Sequence, residues 1–135
     1  MPSSSLIIVT LSSMPSRGGG AESVGVGCEG HLNFNQQLLQ INICAVGPLR
    51  ITHALYKGGK IKEGGKVIII TSQAGSCEWR FTQNPEGGDY GHHMSRAACN
   101  SAGVLLAQEL RARGVAVVML HPGFNRTEMT KKYEH

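Results

Sequence analysis

The run Val67-Ile68-Ile69-Ile70 constrains the fold more than any other part of the sequence. It is continuously β-branched, follows the glycines Gly64-Gly65 and ends at the polar Thr71. An apolar run without alternation is typical of a strand buried inside a parallel sheet. Two further short apolar runs, Leu6 to Val9 and Val115 to Leu120, are bounded by residues typical of turns. The sequence therefore predicts about three strands.

Two helices are predicted between these strands. Apolar residues recur at helical spacing over residues 34–56, and Gly47-Pro48 is expected to interrupt or kink that helix. A second amphipathic helix is predicted over residues 90–113, with Gly114 as its C-terminal cap. Residues 73–89 are polar and are predicted to form a loop.

The predicted order of elements is strand, helix, strand, helix, strand. This order is typical of an α/β protein, here a partial Rossmann-like doubly wound parallel sheet of about three strands with flanking helices. Ligands of such sheets bind at the carboxyl ends of the strands. We therefore expect Ser72 and the Pro122-Gly123 turn to lie at one edge.

Length and composition favour a single domain over residues 1–135, with a Ser/Gly-rich loop at residues 12–32. The chain has 13 Lys and Arg against 9 Asp and Glu, a net charge of +4, and its basic residues are scattered. A nucleic-acid-binding surface would be expected to cluster them, so no nucleic-acid partner is predicted. The apolar run at Leu6 is too short for a membrane span and follows no basic residue. Four separated cysteines are predicted to be free thiols, and the chain cytoplasmic.

The segment Gly25-Val26-Gly27-Cys28-Glu29-Gly30 matches the dinucleotide-binding pattern G-x-G-x-x-G. That pattern binds a pyrophosphate only after a strand and before a helix, with an acidic residue about 20 positions later. The preceding Ala21 to Val24 makes a poor strand, and no acidic residue lies near position 50. We predict a flexible loop here.

Four segments keep a shared order and spacing between residues 33 and 129. They are Asn42 with Gly47 to Arg50, Gly65 to Gly75, Tyr90 to Ala98, and His121 to Thr127. Together they resemble the C-terminal half of the short-chain dehydrogenase/reductase family, especially its C-factor-like subgroup. The resemblance implies transfer of a hydride between NAD or NADP and a small carbonyl or alcohol substrate.

The resemblance also implies site residues. Asn42 and Ser72 match two of the family's four catalytic residues. The other two, Tyr and Lys, are replaced: Arg96, before Ala97-Ala98, is in the Lys place, and His92 is in the Tyr place. The cofactor contacts implied by the resemblance are Arg96, Pro122, Gly123 and Thr127.

The replaced pair inverts the charge relationship that the family uses. A Lys cation stabilises the phenolate that a tyrosine leaves behind, whereas the Arg96 cation disfavours the protonated form of His92 and lowers its pKa. Neutral imidazole could act as a base, which favours alcohol oxidation over carbonyl reduction. In the alternative interpretation, His92 is a polar helix-start residue and Arg96 is solvated or salt-bridged. No metal site is predicted, since no third ligand is spaced to join His92 and His93.

The family's first strand and glycine-rich cofactor turn have no counterpart before Leu6, so the sequence predicts a truncated domain. One hypothesis is an oxidoreductase, impaired by these departures. A second is a non-catalytic protein that pairs with a full-length homologue, as a homo- or hetero-oligomer through helices 34–56 and 90–113. A third is a degenerate chain without a selected function.

Overall fold

The structure is a computed structural model, and it describes residues 5–10 and 32–123. Three sequence predictions lie outside this part of the chain: most of the Ser/Gly-rich loop at 12–32, the Gly25 to Gly30 motif, and the role of Thr127.

The strands form one parallel sheet in the order β1 (Leu6–Thr10), β2 (Lys66–Ile70), β3 (Ala116–Leu120). The strands are in register, so Leu6, Lys66 and Ala116 form one row across the sheet. The predicted α/β class and the parallel strands are confirmed. The β-branched run is the central strand, with a neighbour on each side.

The first predicted helix is one helical segment with an irregular middle. It comprises α1 (Phe34–Ile41), a π-helical turn (Asn42–Val46) and α2 (Gly47–Lys57). Pro48 lies in the first turn of α2, and it has no N–H to donate to the preceding turn. The N–H of Gly47 instead bonds the carbonyl of Asn42, five residues back. The interruption expected at Gly47-Pro48 therefore occurs, and it takes the form of a wider turn just before the proline.

The loop prediction for residues 73–89 was wrong in part. This stretch contains a 3₁₀ turn (Gln73–Gly75) and a short helix, α3 (Cys77–Gln83). Ser76 caps α3, its hydroxyl accepting a 3.3 Å hydrogen bond from the N–H of Trp79. A side-chain cap of this kind satisfies a backbone donor that a helix start leaves unpaired, which allows even a seven-residue helix.

The second long helix is α4 (Tyr90–Arg111). Gly114 follows it at φ +66°, and two backbone bonds close its end: Gly114 N–H to Arg111 O, and Val115 N–H to Leu110 O. This pair of bonds defines a Schellman motif, whose left-handed residue is usually glycine. The predicted cap is confirmed, and it turns the chain directly into β3.

The helices cover one face of the sheet. Val67 and Ile69 of β2 point into a buried cluster that also holds Ala45 from the first helical segment and Cys99 and Leu106 from α4. The opposite face is apolar but open: Ile68 and Ile70 are half-buried, and the side chains on the outer strands are exposed. These exposed residues are Leu6, Ile8, Val118 and Leu120.

The helical segment Phe34–Lys57 is long and apolar enough to span a membrane, judged by length and composition alone. Core helices of globular proteins meet the same criterion. Here Ala45 belongs to the buried cluster, and Cys44, Pro48 and Thr52 are also buried.

The one-sided packing predicts how two matched substitutions differ. Ile69 is 2% exposed on the covered face of the sheet, whereas Ile8 is 59% exposed on the open face. Ile69→Val should lower the free energy of unfolding by about 0.5–1.5 kcal/mol, because it removes a buried methylene. Ile8→Val should change it by less than about 0.5 kcal/mol. Urea unfolding of both variants measures the difference, and equal losses would show that both faces are covered.

Candidate active site at the carboxyl edge of the sheet

A cleft of about 290 Å³ lies at the carboxyl ends of β2 and β3. Ser72, which follows β2, and Gly123, which follows β3, both line it. The juxtaposition predicted from the strand order is therefore present. The lining residues are Ser72, Gln73, Ala74, Arg80, Gln83, His121 and Gly123.

The turn that carries Ser72 is fixed on α4 by Asn100. The Thr71 hydroxyl donates a 2.7 Å hydrogen bond to Oδ1 of Asn100, and Nδ2 of Asn100 donates to the Ser72 carbonyl at 3.4 Å. The Ser72 hydroxyl accepts from the N–H of Ala74 at 3.1 Å. Since that bond uses a lone pair of the oxygen, the hydroxyl proton is still available for another acceptor.

Gly75 allows the same turn to approach α4 closely. A Cβ at this position would lie 2.6 Å from the carbonyl carbon and oxygen of Arg96. Two backbone segments can be this close only where the side chain is absent. Ser72 is thus held at a fixed distance from the start of α4.

His93, which the sequence did not single out as a site residue, joins this turn to α4. Its Nδ1 lies 3.0 Å from the Ala74 carbonyl, and its Nε2 lies 3.2 Å from Nδ2 of Asn84. Both ring nitrogens of His93 are therefore held, Nδ1 at the turn after β2 and Nε2 at the loop after α3.

His92 is half-buried, and its pKa lies below the ordinary value of 6.5. Burial is the largest cause, and it is opposed by the carboxylate of Asp89. Arg96, His93 and Arg80 each lower the pKa further. The sequence predicted the direction correctly, but it attributed to Arg96 a shift that comes mainly from desolvation. The His92 and His93 rings meet edge to face, with centroids 5.4 Å apart.

Arg96 is buried, at 7% exposure, so the interpretation of a solvated arginine was wrong. Its Nε is shielded from solvent and has no hydrogen-bond partner. An unsatisfied buried donor costs about 1–3 kcal/mol, more when the group is charged. The position of Arg96 is therefore energetically unfavourable unless something else accepts from it.

The remaining predicted site residues are more dispersed. Asn42 is exposed, and its Oδ1 accepts a 2.8 Å hydrogen bond from Nη1 of Arg50. Asn42, His92 and Arg96 are not among the residues that line the cleft. Within residues 5–10 and 32–123, no group of three or more His, Cys, Asp or Glu side chains is placed to hold a metal ion.

Arg80 is the second site residue that the sequence did not indicate. It lies in α3, within the stretch predicted as a loop, and it lines the cleft beside Ser72. The one usable signal is Ser76, since a serine followed by Glu78 is typical of a helix start and would have predicted a helix containing Arg80.

The chain matches the short chain dehydrogenase family over residues 19–135 and belongs to that family. It is 38% identical over 104 residues to 1-hydroxy-2-glutathionyl-2-methyl-3-butene dehydrogenase of Rhodococcus sp. (strain AD45), covering 77% of this chain and 43% of the relative. It is 35% identical over 102 residues to C-signal of Myxococcus xanthus, covering 74% and 58%. The chain thus spans about half the length of these relatives.

Solved structures support the same fold. The putative carbonyl reductase Sniffer of Caenorhabditis elegans matches with a TM-score of 0.68 at 22% identity, over 87% of this chain and 51% of that one. A carbonyl reductase from Pseudomonas aeruginosa PAO1, solved in complex with NADP, matches with a TM-score of 0.66 at 22% identity, over 92% and 50%. The predicted family and Rossmann-like fold are confirmed.

The lowered pKa of His92 predicts a specific pH dependence of stability. Between that pKa and 6.5 the unfolded chain binds more protons than the folded chain, so stability falls as the pH falls through this window. His92→Gln removes this contribution. Its urea midpoint should therefore drop less than that of the wild type between about pH 7.5 and about pH 5.5.

His53→Gln is the matched control, since His53 is exposed on α2. Its urea midpoint should follow the wild-type pH dependence. Identical pH profiles for His92→Gln and the wild type would contradict a lowered pKa at His92.

Proposed function

We propose that the chain carries an oxidoreductase site that uses NAD or NADP on a small carbonyl or alcohol. The single observation that carries the proposal is that Ser72 and Gly123 line the same cleft. The turn that contains Ser72 packs against the backbone of Arg96. The name of the Rhodococcus relative describes a dehydrogenase of a hydroxy compound, which supports the substrate class. We further propose that the site is impaired, because His92 and Arg96 replace the family's Tyr and Lys.

The residues near the turn are compatible with a nicotinamide cofactor. The buried Nε of Arg96 is a donor without an acceptor, and a ribose hydroxyl would satisfy it. By family resemblance, Arg96, Pro122, Gly123 and Thr127 would hold the nicotinamide half of the molecule. When bound, the cofactor supplies a ring carbon that accepts a hydride from an alcohol or gives one to a carbonyl.

The protonation state of His92 sets the favoured direction. His92 does not line the cleft, so it can act only on a substrate whose oxygen extends from the cleft to it. Burial and the Arg96 cation keep the imidazole neutral, so it can accept the proton of such an alcohol as the hydride leaves the carbon. Carbonyl reduction needs a proton donor in the same place, and an imidazole with a lowered pKa is mostly unprotonated near neutral pH. The Ser72 hydroxyl would hydrogen-bond the substrate oxygen in either direction. Slow alcohol oxidation is therefore the expected activity.

Charge and cysteine content support proposals about partners and cellular location. The net charge of +4 is spread along the chain, so we propose no nucleic-acid partner and no membrane attachment. The cysteines Cys44, Cys77 and Cys99 are unpaired. Free thiols are usual in reducing compartments, and we propose a cytoplasmic location.

Cofactor binding is the first test. The sole tryptophan, Trp79, lies in α3 next to the cleft-lining Arg80, so its emission should be quenched when NADPH or NADH binds. Arg96→Met should weaken that binding by at least about tenfold, since it removes a charge-assisted donor. Arg111→Met, an exposed arginine at the end of the same helix, should leave it unchanged. No quenching at millimolar cofactor would refute the proposal.

The rate of carbonyl reduction tests the proposed impairment. The double variant His92→Tyr, Arg96→Lys restores the family's proton donor and cation, so it should raise the rate of carbonyl reduction by about a hundredfold or more. His92→Phe with Arg96→Lys is the matched control, because it restores the ring without the hydroxyl. If both double variants reduce carbonyls equally slowly, the impairment is not due to this pair.

A second candidate is a non-catalytic role through pairing with a second copy or a full-length homologue. The observation that favours it is the apolar surface of the long helices: Leu38 of α1 and Leu105 of α4 are each 63% exposed. Further exposed apolar residues on these helices extend the surface. They are Leu39, Leu49, Ile51, Met94 and Val104. We propose that helices 34–56 and 90–113 form the interface.

Light scattering after size exclusion tests this second candidate. The chain alone, or mixed with a full-length homologue, should form a dimer, and Leu38→Glu or Leu105→Glu should weaken it by at least about tenfold. Phe81→Glu is the control, because Phe81 is more exposed still, at 84%, but lies on α3. A monomer under both conditions, or equal weakening by Phe81→Glu, would refute pairing through these helices.

A further inference from the structure

We propose that Arg80 makes the Ser72 cleft selective for anionic substrates, specifically carbonyl or alcohol compounds that carry a carboxylate. The inference deepens the proposed function and rests on it, since it names the substrate class of the same site. It comes from how the Arg80 guanidinium is held and what surrounds it.

Two hydrogen bonds orient the guanidinium without neutralising it. Nε of Arg80 donates to the Ser76 carbonyl at 3.3 Å, and Nη2 donates to Oε1 of Gln83 at 2.6 Å. Both acceptors are uncharged and belong to α3 or its cap. The cation is therefore positioned by its own helix and keeps its full charge.

The third guanidinium nitrogen, Nη1, makes no hydrogen bond within α3 or its cap. Nη1 of Arg80 lies 3.3 Å from Nδ1 of His93. Nη1 carries two N–H groups, and this ring nitrogen can accept from one of them at most. The other N–H of Nη1 therefore has no acceptor in this contact.

The described residues that line the cleft provide no counter-charge. Among the described residues that line it there is no Asp or Glu, and the polar ones are Ser72, Gln73, Gln83 and His121 besides Arg80. A half-buried cation in a concave site attracts anions. The planar guanidinium also binds a carboxylate through two parallel N–H groups, which a point charge cannot do.

The size of the cleft narrows the substrate further. Its volume of about 290 Å³ is at the lower end of ordinary ligand sites, so it suits a small molecule. Ser72 and Arg80 line the same cavity. One short molecule can therefore place its oxygen at the Ser72 hydroxyl and its carboxylate at Arg80.

Levulinate and methyl levulinate form a matched pair of probes, since they share a ketone skeleton and differ in charge. Binding of each to the full chain is measured without cofactor, through the emission of Trp79 and saturation-transfer NMR. We expect levulinate to bind at least about tenfold more tightly than its ester, since only the acid makes charge-assisted bonds. Raising NaCl from about 50 to about 500 mM should weaken only levulinate binding.

Variants distinguish the effect of Arg80 on levulinate binding from the effect of the chain's overall positive charge. Arg80→Gln should lose the preference for levulinate, Arg80→Lys should keep part of it, and Arg113→Gln, an exposed arginine after α4, should keep all of it. Circular dichroism and urea midpoints verify that each variant is folded. Because Arg80→Lys retains the charge, it still tests the proposal if the Gln variant unfolds.

Two results would overturn the inference. One is levulinate binding that is absent, equals that of the ester, or is unchanged in Arg80→Gln. The other is a loss of NADPH binding in Arg80→Gln as large as in Arg96→Met, which would assign Arg80 to a cofactor phosphate. The levulinate assay needs neither cofactor nor turnover, so failure of the oxidoreductase proposal would be seen separately.

Discussion

The contact between Gly75 and the backbone of Arg96 determines how the rest of the site is arranged. Because no side chain separates them, the turn after β2 lies directly on α4. Asn100 then bonds both Thr71 and Ser72 from the same helix. His93 of α4 contacts Ala74 in the same turn, and the cleft is lined by Ser72, Gln73 and Ala74 of that turn. A larger residue at position 75 would separate Ser72 from the helix that carries His92.

The fold could be predicted where a buried element leaves a long apolar run or a repeated apolar spacing in the sequence. The continuous β-branched run indicated a buried strand, and it forms the central strand of the sheet. Gly114 indicated a helix end, and it adopts the left-handed conformation that closes α4. Helix α3 was missed because it has no covered face: Trp79 and Phe81 are both exposed, so no helical periodicity marks it. Its start depends on one serine cap, a weak signal in a polar stretch.

The site was predictable only in part, for a related reason. Strand order alone placed Ser72 and Gly123 together. Arg80 lines the cleft from α3, a helix that was not predicted, and His93 contacts Ala74 of the neighbouring turn, a tertiary contact that no spacing in the sequence reveals. The lowered pKa of His92 was predicted from charge, yet burial contributes most, and burial depends on packing. Asn42, placed by family resemblance, has its side chain bonded to Arg50 instead of lining the cleft.

The π-helical turn at Asn42–Val46 has a consequence for how the chain tolerates insertion and deletion. Each residue advances an α-helix by about 100°, so the one extra residue in this turn resets the phase of everything after it. Upstream, Leu38 faces outward, while downstream Pro48 and Thr52 face inward. Deleting any one residue of the turn would rotate α2 out of that phase and turn Pro48 and Thr52 away from the buried side. The length of this turn is therefore fixed by the packing of the helix that follows it.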